Sequence, residues 1–337
     1  MNKSLIAAIC IVAALATVVP VAAAAAPANK VMCVFDPSGT HGDLFRFATE
    51  YQAAALAWGV RFKLKAYTNE VVATNDFKAG QCQSVLLTSL RARAFVKATG
   101  TLEAIGALPD YRMLKKAIRV LANPKLKKLV VQGKYETAAI LPGGAVYLLL
   151  RNKKNNTMSK LAGKRIATLI HDKPGRVMVD TVGAAMVPAE VGTFAGIFNN
   201  GRADACYAPA TAFKPLELQK GMKRGGGVVK YALGQLTFQV ITRTADMPAG
   251  FGQKSRKWGA SKFDSGLKMA RRAEKALPAK YWIKIAAADR PAYDEKLRAT
   301  RIKLRKKGVY HGGVLRLMRK IRCKSNPGAR ECKEKLE

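Results

Sequence analysis

Val31-Met32-Cys33-Val34-Phe35 is a short, continuous apolar run, the pattern of a strand buried on both faces. It stops at Asp36-Pro37-Ser38-Gly39-Thr40-His41-Gly42, a turn-forming stretch. From Asp43 onward, Leu44, Phe47, Ala48, Tyr51, Ala55 and Trp58 recur at helical spacing, and Gly59 stops the pattern. Val60 to Tyr67 largely alternates, which predicts a strand with one buried face. A second helix carries Val71, Val72 and Phe77, and Val85-Leu86-Leu87 is a third strand that runs into Thr88-Ser89-Leu90-Arg91. This β-α-β-α-β order predicts a parallel sheet with right-handed crossovers. Ligands on such sheets sit outside the carboxyl ends of the strands, here Asp36 to Gly42 and Thr88 to Arg93.

The second half of the chain echoes the first. Phe77-Lys78-Ala79-Gly80 leads into Cys82-Gln83-Ser84-Val85-Leu86-Leu87; Phe198-Asn199-Asn200-Gly201 leads into Asp204-Ala205-Cys206-Tyr207-Ala208-Pro209. Each reads as a helix end, a glycine suited to the left-handed conformation, and a short strand. Two such units predict two similar α/β lobes with a cleft between them, an architecture that closes on a small molecule. Between the units, Lys116 to Lys134 reads as helical and basic, and Ala145 to Arg151 as a strand entering the second lobe. Leu161 to Ile170 ends in a strand, with a helix expected from about Arg176 to Val182 and a short strand from Ala184 to Pro188. Leu236 to Thr242 is the return strand; from Ser261 the chain is expected to be helical, with Tyr281 and Trp282 as packing anchors.

Residues 1–26 carry a secretory pattern: Lys3, an apolar run from Leu5 to Val21, then alanines for cleavage. Ile9 before Cys10 excludes a lipoprotein reading, and no later apolar stretch is long enough to span a membrane. A bacterial periplasm or an extracellular space is the expected compartment, with the periplasm preferred. Five cysteines remain: Cys33, Cys82, Cys206, Cys323 and Cys332. In an oxidising compartment Cys323 and Cys332, around a turn-rich segment, read as a local disulfide; Cys33 and Cys82 sit in neighbouring strands and either pair or stay as buried thiols. No Cys or His spacing suggests a metal, and no cofactor motif occurs.

The net charge is +37, with a net +18 from Lys254 to the end. Such a surface attracts anions such as lipopolysaccharide, anionic lipid, nucleic acid or acidic solutes; the other reading, favoured by the spread of lysines along the chain, is simply a solvated basic face. The lysines are not interleaved with aromatics, so a specific nucleic-acid platform is not expected. His41, His171 and His311 lie far apart, and no G-x-S-x-G elbow, Walker loop or H-E-x-x-H helix is present, so catalysis is not expected.

The candidate ligand contacts are Asp36, Ser38 and Gly39 in the first loop, Thr88, Ser89 and Arg91 in the matching loop, Glu70, Arg176, and Tyr207 with Pro209. Helix capping competes for Asp36 and Ser38. Tyr207 alternatively belongs to the core, and Arg176 to solvent. Glu70 matters if the solute is cationic. Asp204 is expected to order its own turn.

Leu161-Ala162-Gly163-Lys164-Arg165-Ile166, Gly183-Ala184-Ala185-Met186-Val187-Pro188 and Asn200-Gly201-Arg202-Ala203-Asp204 with Pro209 resemble, in order, the second lobe of TRAP-transporter solute-binding proteins. Asp36-Pro37-x-Gly39, Ala66-Tyr67-Thr68-x-Glu70, Leu90-Arg91-Ala92-Arg93 and Pro248-Ala249-Gly250-Phe251 look more like their AdeT-like branch. The resemblance covers nearly the whole chain after the signal. It implies an α/β, two-lobe periplasmic binding protein of the type II-like class with a hinge, plus a C-terminal helical extension. Lobe 1 is then 27–144 with about 240–260, lobe 2 is 145–239, and 261–337 is a basic helical region packed on the lobes. The implied function is a non-enzymatic receptor that presents a small polar or anionic solute to membrane transporter subunits. The alternative is a non-transport envelope protein that engages an anionic membrane surface through its charge. One departure stands out. The family's organic-acid receptors place a carboxylate-pairing arginine two residues beyond Arg165, where this chain has Ala167. Arg91, Arg93 and Arg176 are the substitutes on offer.

Overall fold

The computed structural model describes residues 26–223 and 225–337, so the expected secretory segment, 1–26, lies outside the described residues apart from its last position. The strands are β1 (Ala28–Phe35), β2 (Val60–Tyr67), β3 (Ser84–Thr88), β4 (Val131–Gln132), β5 (Tyr135–Leu150), β6 (Arg165–Leu169), β7 (Ala185–Ala189), β8 (Ala205–Pro209), β9 (Gly227–Val229), β10 (Gly234–Arg243) and β11 (Trp282–Ile283). They form a sheet in the order β2-β1-β3-β10-β5-β8-β6-β7, with β4 and β9 on β5 and β11 on β9.

The order contains the same arrangement twice. β1 lies between β2 and β3, all parallel, with β10 antiparallel beside β3. β6 lies between β7 and β8, all parallel, with β5 antiparallel beside β8. These are the two lobes, and the sequence echo is their matching second crossover. Gly80 and Gly201 both have positive φ, +85° and +79°. The next amides close the same kind of turn: Gln81 N–H donates to Asp76 O and Arg202 N–H to Ile197 O. Phe77 and Phe198 are both fully buried beneath these turns. A phenylalanine that seals the core and a glycine that reverses the chain are local needs, so each repeat wrote them in the same order.

β5 and β10 pair antiparallel between the lobes. Tyr135–Leu150 is one long strand, so the expected lobe boundary at residue 144 falls inside it. At that point the register slips: Leu236 faces Gly144 and Thr237 faces Pro142, which leaves Gly143 as an extra residue. Such a bulge bends its strand. Only glycine suits it, since Gly144 has φ +110° and a Cβ on Gly143 would lie 2.8 Å from the Phe238 ring.

Three expectations need correction. Lys116 to Lys134 is not one helix: Tyr111–Leu121 ends before Asn123-Pro124, and a short turn Lys127–Val130 leads into β4. Proline disfavours helix in the residue before it and removes a donor. The helix placed from about Arg176 begins earlier, at Lys173, where Pro174 suits the first turn and Asp172 accepts from Gly175 N–H (3.0 Å). The chain after Ser261 is not wholly helical, because Trp282–Ile283 adds a short parallel strand to β9.

Lobe 1 packs an aromatic cluster between the helices Asp43–Leu56 and Phe251–Ser261. Tyr51, Trp58, Phe62, Phe251 and Trp258 meet at ring separations of 5.6–6.1 Å. Tyr51 and Ser255 share a hydrogen bond of 2.6 Å. Beyond Phe251–Ser261, the helix Phe263–Ala276 crosses β5, Arg290–Lys306 packs on the lobe 2 helix Lys173–Thr181, and Gly312–Ser325 packs on Tyr111–Leu121. Cys33 is bonded to Cys82, and Cys323 to Cys332. Cys206 is a buried free thiol, and burial pushes its pKa up. Among the described residues no helix is long and apolar enough to cross a membrane.

Candidate functional site

A cleft of about 530 Å³ opens where the carboxyl ends of β1, β3, β6 and β8 converge on β10. Apolar side chains dominate its walls, among them Phe35, Leu90, Ile105, Phe194, Leu236 and Phe238. A few polar groups interrupt them, the usual composition of a small-molecule site.

Asp36 closes the end of β1. One carboxylate oxygen accepts from Ser38 N–H (2.8 Å), the other from Leu44 N–H (2.9 Å) and Phe45 N–H (3.0 Å). It is therefore the cap of the helix Asp43–Leu56, and only 3% exposed. Asp172 does the same at the end of β6. It accepts from Gly175 N–H, and from the Tyr207 hydroxyl at 2.8 Å. Burial first, and then the adjoining Asp172 charge, hold the Tyr207 phenol well above its ordinary pKa, so it stays a neutral donor.

Glu70 opens the helix Glu70–Lys78 and reaches across to β3. Its carboxylate accepts from Thr88 N–H and Thr88 Oγ1–H, both at 2.7 Å, and from Arg91 Nε–H at 3.2 Å. Burial pushes the Glu70 carboxyl up, while Thr88 and Arg91 pull it back. Arg91 is thereby engaged and does not line the cleft. Arg93 does line it, stacked 5.9 Å from the Tyr310 ring centroid.

Asp36, Ser38, Glu70, Thr88, Tyr207 and Pro209 come together on this cleft. Four other candidates do not reach it. Gly39 takes a positive φ and serves the turn, its N–H donating to Asp36 O. Ser89 is fully buried behind the wall. Arg91 is held by Glu70, and Arg176 is solvent-exposed on the outer side of its helix. Asp204 pairs with Arg165 (3.0 Å) and orders its own turn.

The sequence reading left Glu103, Asp172, His171, Gln235 and Tyr310 out of the site. Asp172 had a findable signal: it is the lobe 2 counterpart of Asp36, an aspartate three residues after the first parallel strand of its lobe, just before the next helix. Glu103 and Tyr310 had none, because a 3₁₀ turn and the C-terminal region bring them in. Glu103 accepts from Thr237 N–H at 3.0 Å, and burial pushes its carboxyl up to about 7. Burial, and then the Arg91 charge, hold His171 below the usual imidazole range, so it is neutral.

The C-terminal helices buttress this wall. Arg301 donates to Ile105 O (2.9 Å) and Arg322 to Ala107 O (2.6 Å). Glu337 holds both arginines, at 2.7 Å from Arg301 Nε and 2.7 Å from Arg322 Nη2. At the other side a groove of about 490 Å³ adjoins the cleft, lined by Arg46, Lys268, Arg271, Arg272 and Lys275 against Asp43 and Glu50. Ala167, in β6, is 3% exposed in the lobe 2 core and supplies no guanidinium.

Solved structures share this fold. A TRAP periplasmic solute-binding protein from Desulfovibrio salexigens with bound orotic acid superposes with a TM-score of 0.70, at 13% identity, over 88% of this chain and 99% of that one. One from Rhodoferax ferrireducens with bound malonate gives 0.68 at 14% identity, over 89% and 100%. In sequence, the chain is 38% identical over 299 residues to the probable solute-binding protein AdeT1 of Acinetobacter baumannii, covering 89% of this chain and 98% of the relative. The model of the solute-binding protein AdeT 1/2 family matches residues 52–337, and the chain belongs to that family.

Proposed function

We propose that this solute-binding protein captures one small solute in the cleft between its lobes and presents it to membrane transporter subunits, after export to the periplasm with removal of residues 1–26. The observation that carries the reading is the cleft itself: apolar walls from both lobes, with a few placed hydrogen-bonding groups, above a glycine bulge in the strand that joins them. Rotation at that bulge would bring Asp172 and Tyr207 toward Glu70 and Thr88. A solute touching both sides favours the closed form by its differential affinity for it. No catalytic role is assigned to any group here; the carboxylates and hydroxyls hold one another and flank the cleft.

The basic groove supports a second reading, in which the surface engages anionic lipid or lipopolysaccharide. A thermal-shift screen separates the two, run on the mature chain with acids, amines, amino acids and sugars at low and high salt. The receptor reading expects a saturable rise in melting temperature that survives salt. Shifts from polyanions alone, and only at low salt, favour the surface reading and sink the first.

A further inference from the structure

The charge of the cleft runs against the charge of the chain. The protein carries a net +37, yet the cleft wall holds Asp36, Asp43, Glu70, Glu103 and Asp172 against the single guanidinium of Arg93. Four of these carboxylates already have strong partners. Asp36 and Asp172 cap helices, Asp43 pairs with Arg46, and Glu70 is bound by Thr88 and Arg91.

Glu103 differs. It takes the Thr237 N–H, with the Ser89 hydroxyl and the Arg93 charge nearby, and among the described residues no cation lies within ion-pair distance of it. Two residues from Thr237 along β10, Gln235 lines the same wall and is 2% exposed. Its Nε2 donates to Leu108 O at 3.0 Å, while its Oε1 accepts nothing from the protein. The pair is a carboxylate and an amide oxygen, both acceptors, and Ile105 and Leu236 beside them are apolar. Only a donor satisfies such a pair, and an ammonium brings three with a matching charge. A carboxylate would set acceptor against acceptor inside an acidic, weakly screened cleft.

Resting on the receptor reading, we infer that the solute is an organic cation, an amine with an apolar body whose ammonium is held by Glu103 and Gln235. Its hydrocarbon part lies against Ile105 and Leu236. Long-range repulsion from the basic surface is screened at ordinary ionic strength, within about 8 Å.

The test uses the intact mature chain and matched pairs: 2-phenylethylamine against 3-phenylpropionate, and hexylamine against hexanoate. Calorimetric titration at about pH 8 and about 0.15 M salt reads the affinity of each. The amine of at least one pair is expected to bind about tenfold or more tightly than its acid. Glu103→Gln, which keeps shape and removes charge, should lose about tenfold of that affinity. Gln235→Met, with the fold checked by circular dichroism, should lose a smaller factor. Acids that bind as well as their amines, with the affinity lost in Arg93→Ala, overturn the cation assignment and leave the receptor reading standing. Failure of both pairs overturns it too; only failure of the wider solute screen as well removes the receptor reading.

Discussion

Asp36 and Asp172 occupy equivalent places in the two lobes: each follows the first strand of its lobe and caps the helix that comes next. Each also depends on a glycine. A Cβ on Gly42 would fall 1.9 Å from the Asp36 carboxylate, and one on Gly175 would fall 2.2 Å from the Tyr207 hydroxyl and 2.4 Å from Asp172. The repeated fold therefore builds two carboxylate-capped helix starts that frame one cleft.

Gly42→Ala and Gly175→Ala should each displace a carboxylate from its cap. Loss of the cap costs about 1 kcal/mol, with overpacking adding about 1–3 kcal/mol. Chemical denaturation of each variant checks this. Gly80→Ala meets no neighbour within 4 Å and bears only the cost of its positive φ, so it should be the milder change.

Glu103 makes stability depend on pH. Its carboxyl is pushed up to about 7, by burial first, with Ser89, Thr237 and Arg93 opposing and Asp172 adding to the rise. Its proton is held more tightly in the folded than in the unfolded chain. The contribution is thus fully present below about pH 4.5 and is lost as pH climbs toward 7. Arg93, Asp172 and Tyr310 face the same group, so the comparison must be with Glu103→Gln. The melting temperature of the wild type should fall relative to that variant between these values; parallel curves would refute the assignment.

The wall behind the cleft is held from the tail. Arg322 is 7% exposed and binds Glu331, Glu337 and Ala107 O. Removing one partner of a buried ion pair leaves the other uncompensated, at about 3–5 kcal/mol. Arg322→Leu should lower stability by that order and weaken solute binding, since Ala107 O loses its donor and Glu337, which also holds Arg301 on Ile105 O, loses one of its two arginines. Lys335→Ala, at an exposed position, should do neither.

The two disulfides should differ in weight. Chain entropy assigns about 4 kcal/mol to Cys33–Cys82, which closes a separation of 49, and about 2.6 kcal/mol to Cys323–Cys332, which closes 9. Paired Cys→Ala variants, compared by denaturant midpoint, should keep that order.

Legibility in the sequence followed locality. The crossovers of lobe 1 announced themselves because Val31–Phe35, the Leu44 to Trp58 periodicity and Gly80 each answer a requirement met within a few residues. Asp36, Thr88 and Tyr207 stand out by being at strand ends, and Glu70 as a rare acid near the lobe edge. That Arg91 is held by Glu70 rather than lining the cleft was not legible, because nothing local shows that Glu70 reaches it, 21 residues away. Glu103, Gln235 and Tyr310 were invisible for the same reason. They meet through β10 and the C-terminal helices, and their contacts span more than a hundred residues. Asp172 was legible and overlooked, being the echo of Asp36.

The most direct measurement is calorimetric stoichiometry with the best solute from the screen, on three proteins. Thr211→Trp fills the cleft from a half-buried wall position, and the Arg271→Glu/Arg272→Glu pair reverses the adjoining groove. A solute held between the lobes binds once per chain, is lost in Thr211→Trp at unchanged melting temperature, and is retained in the groove variant. Binding that survives the filled cleft and disappears with the groove charges would contradict the account.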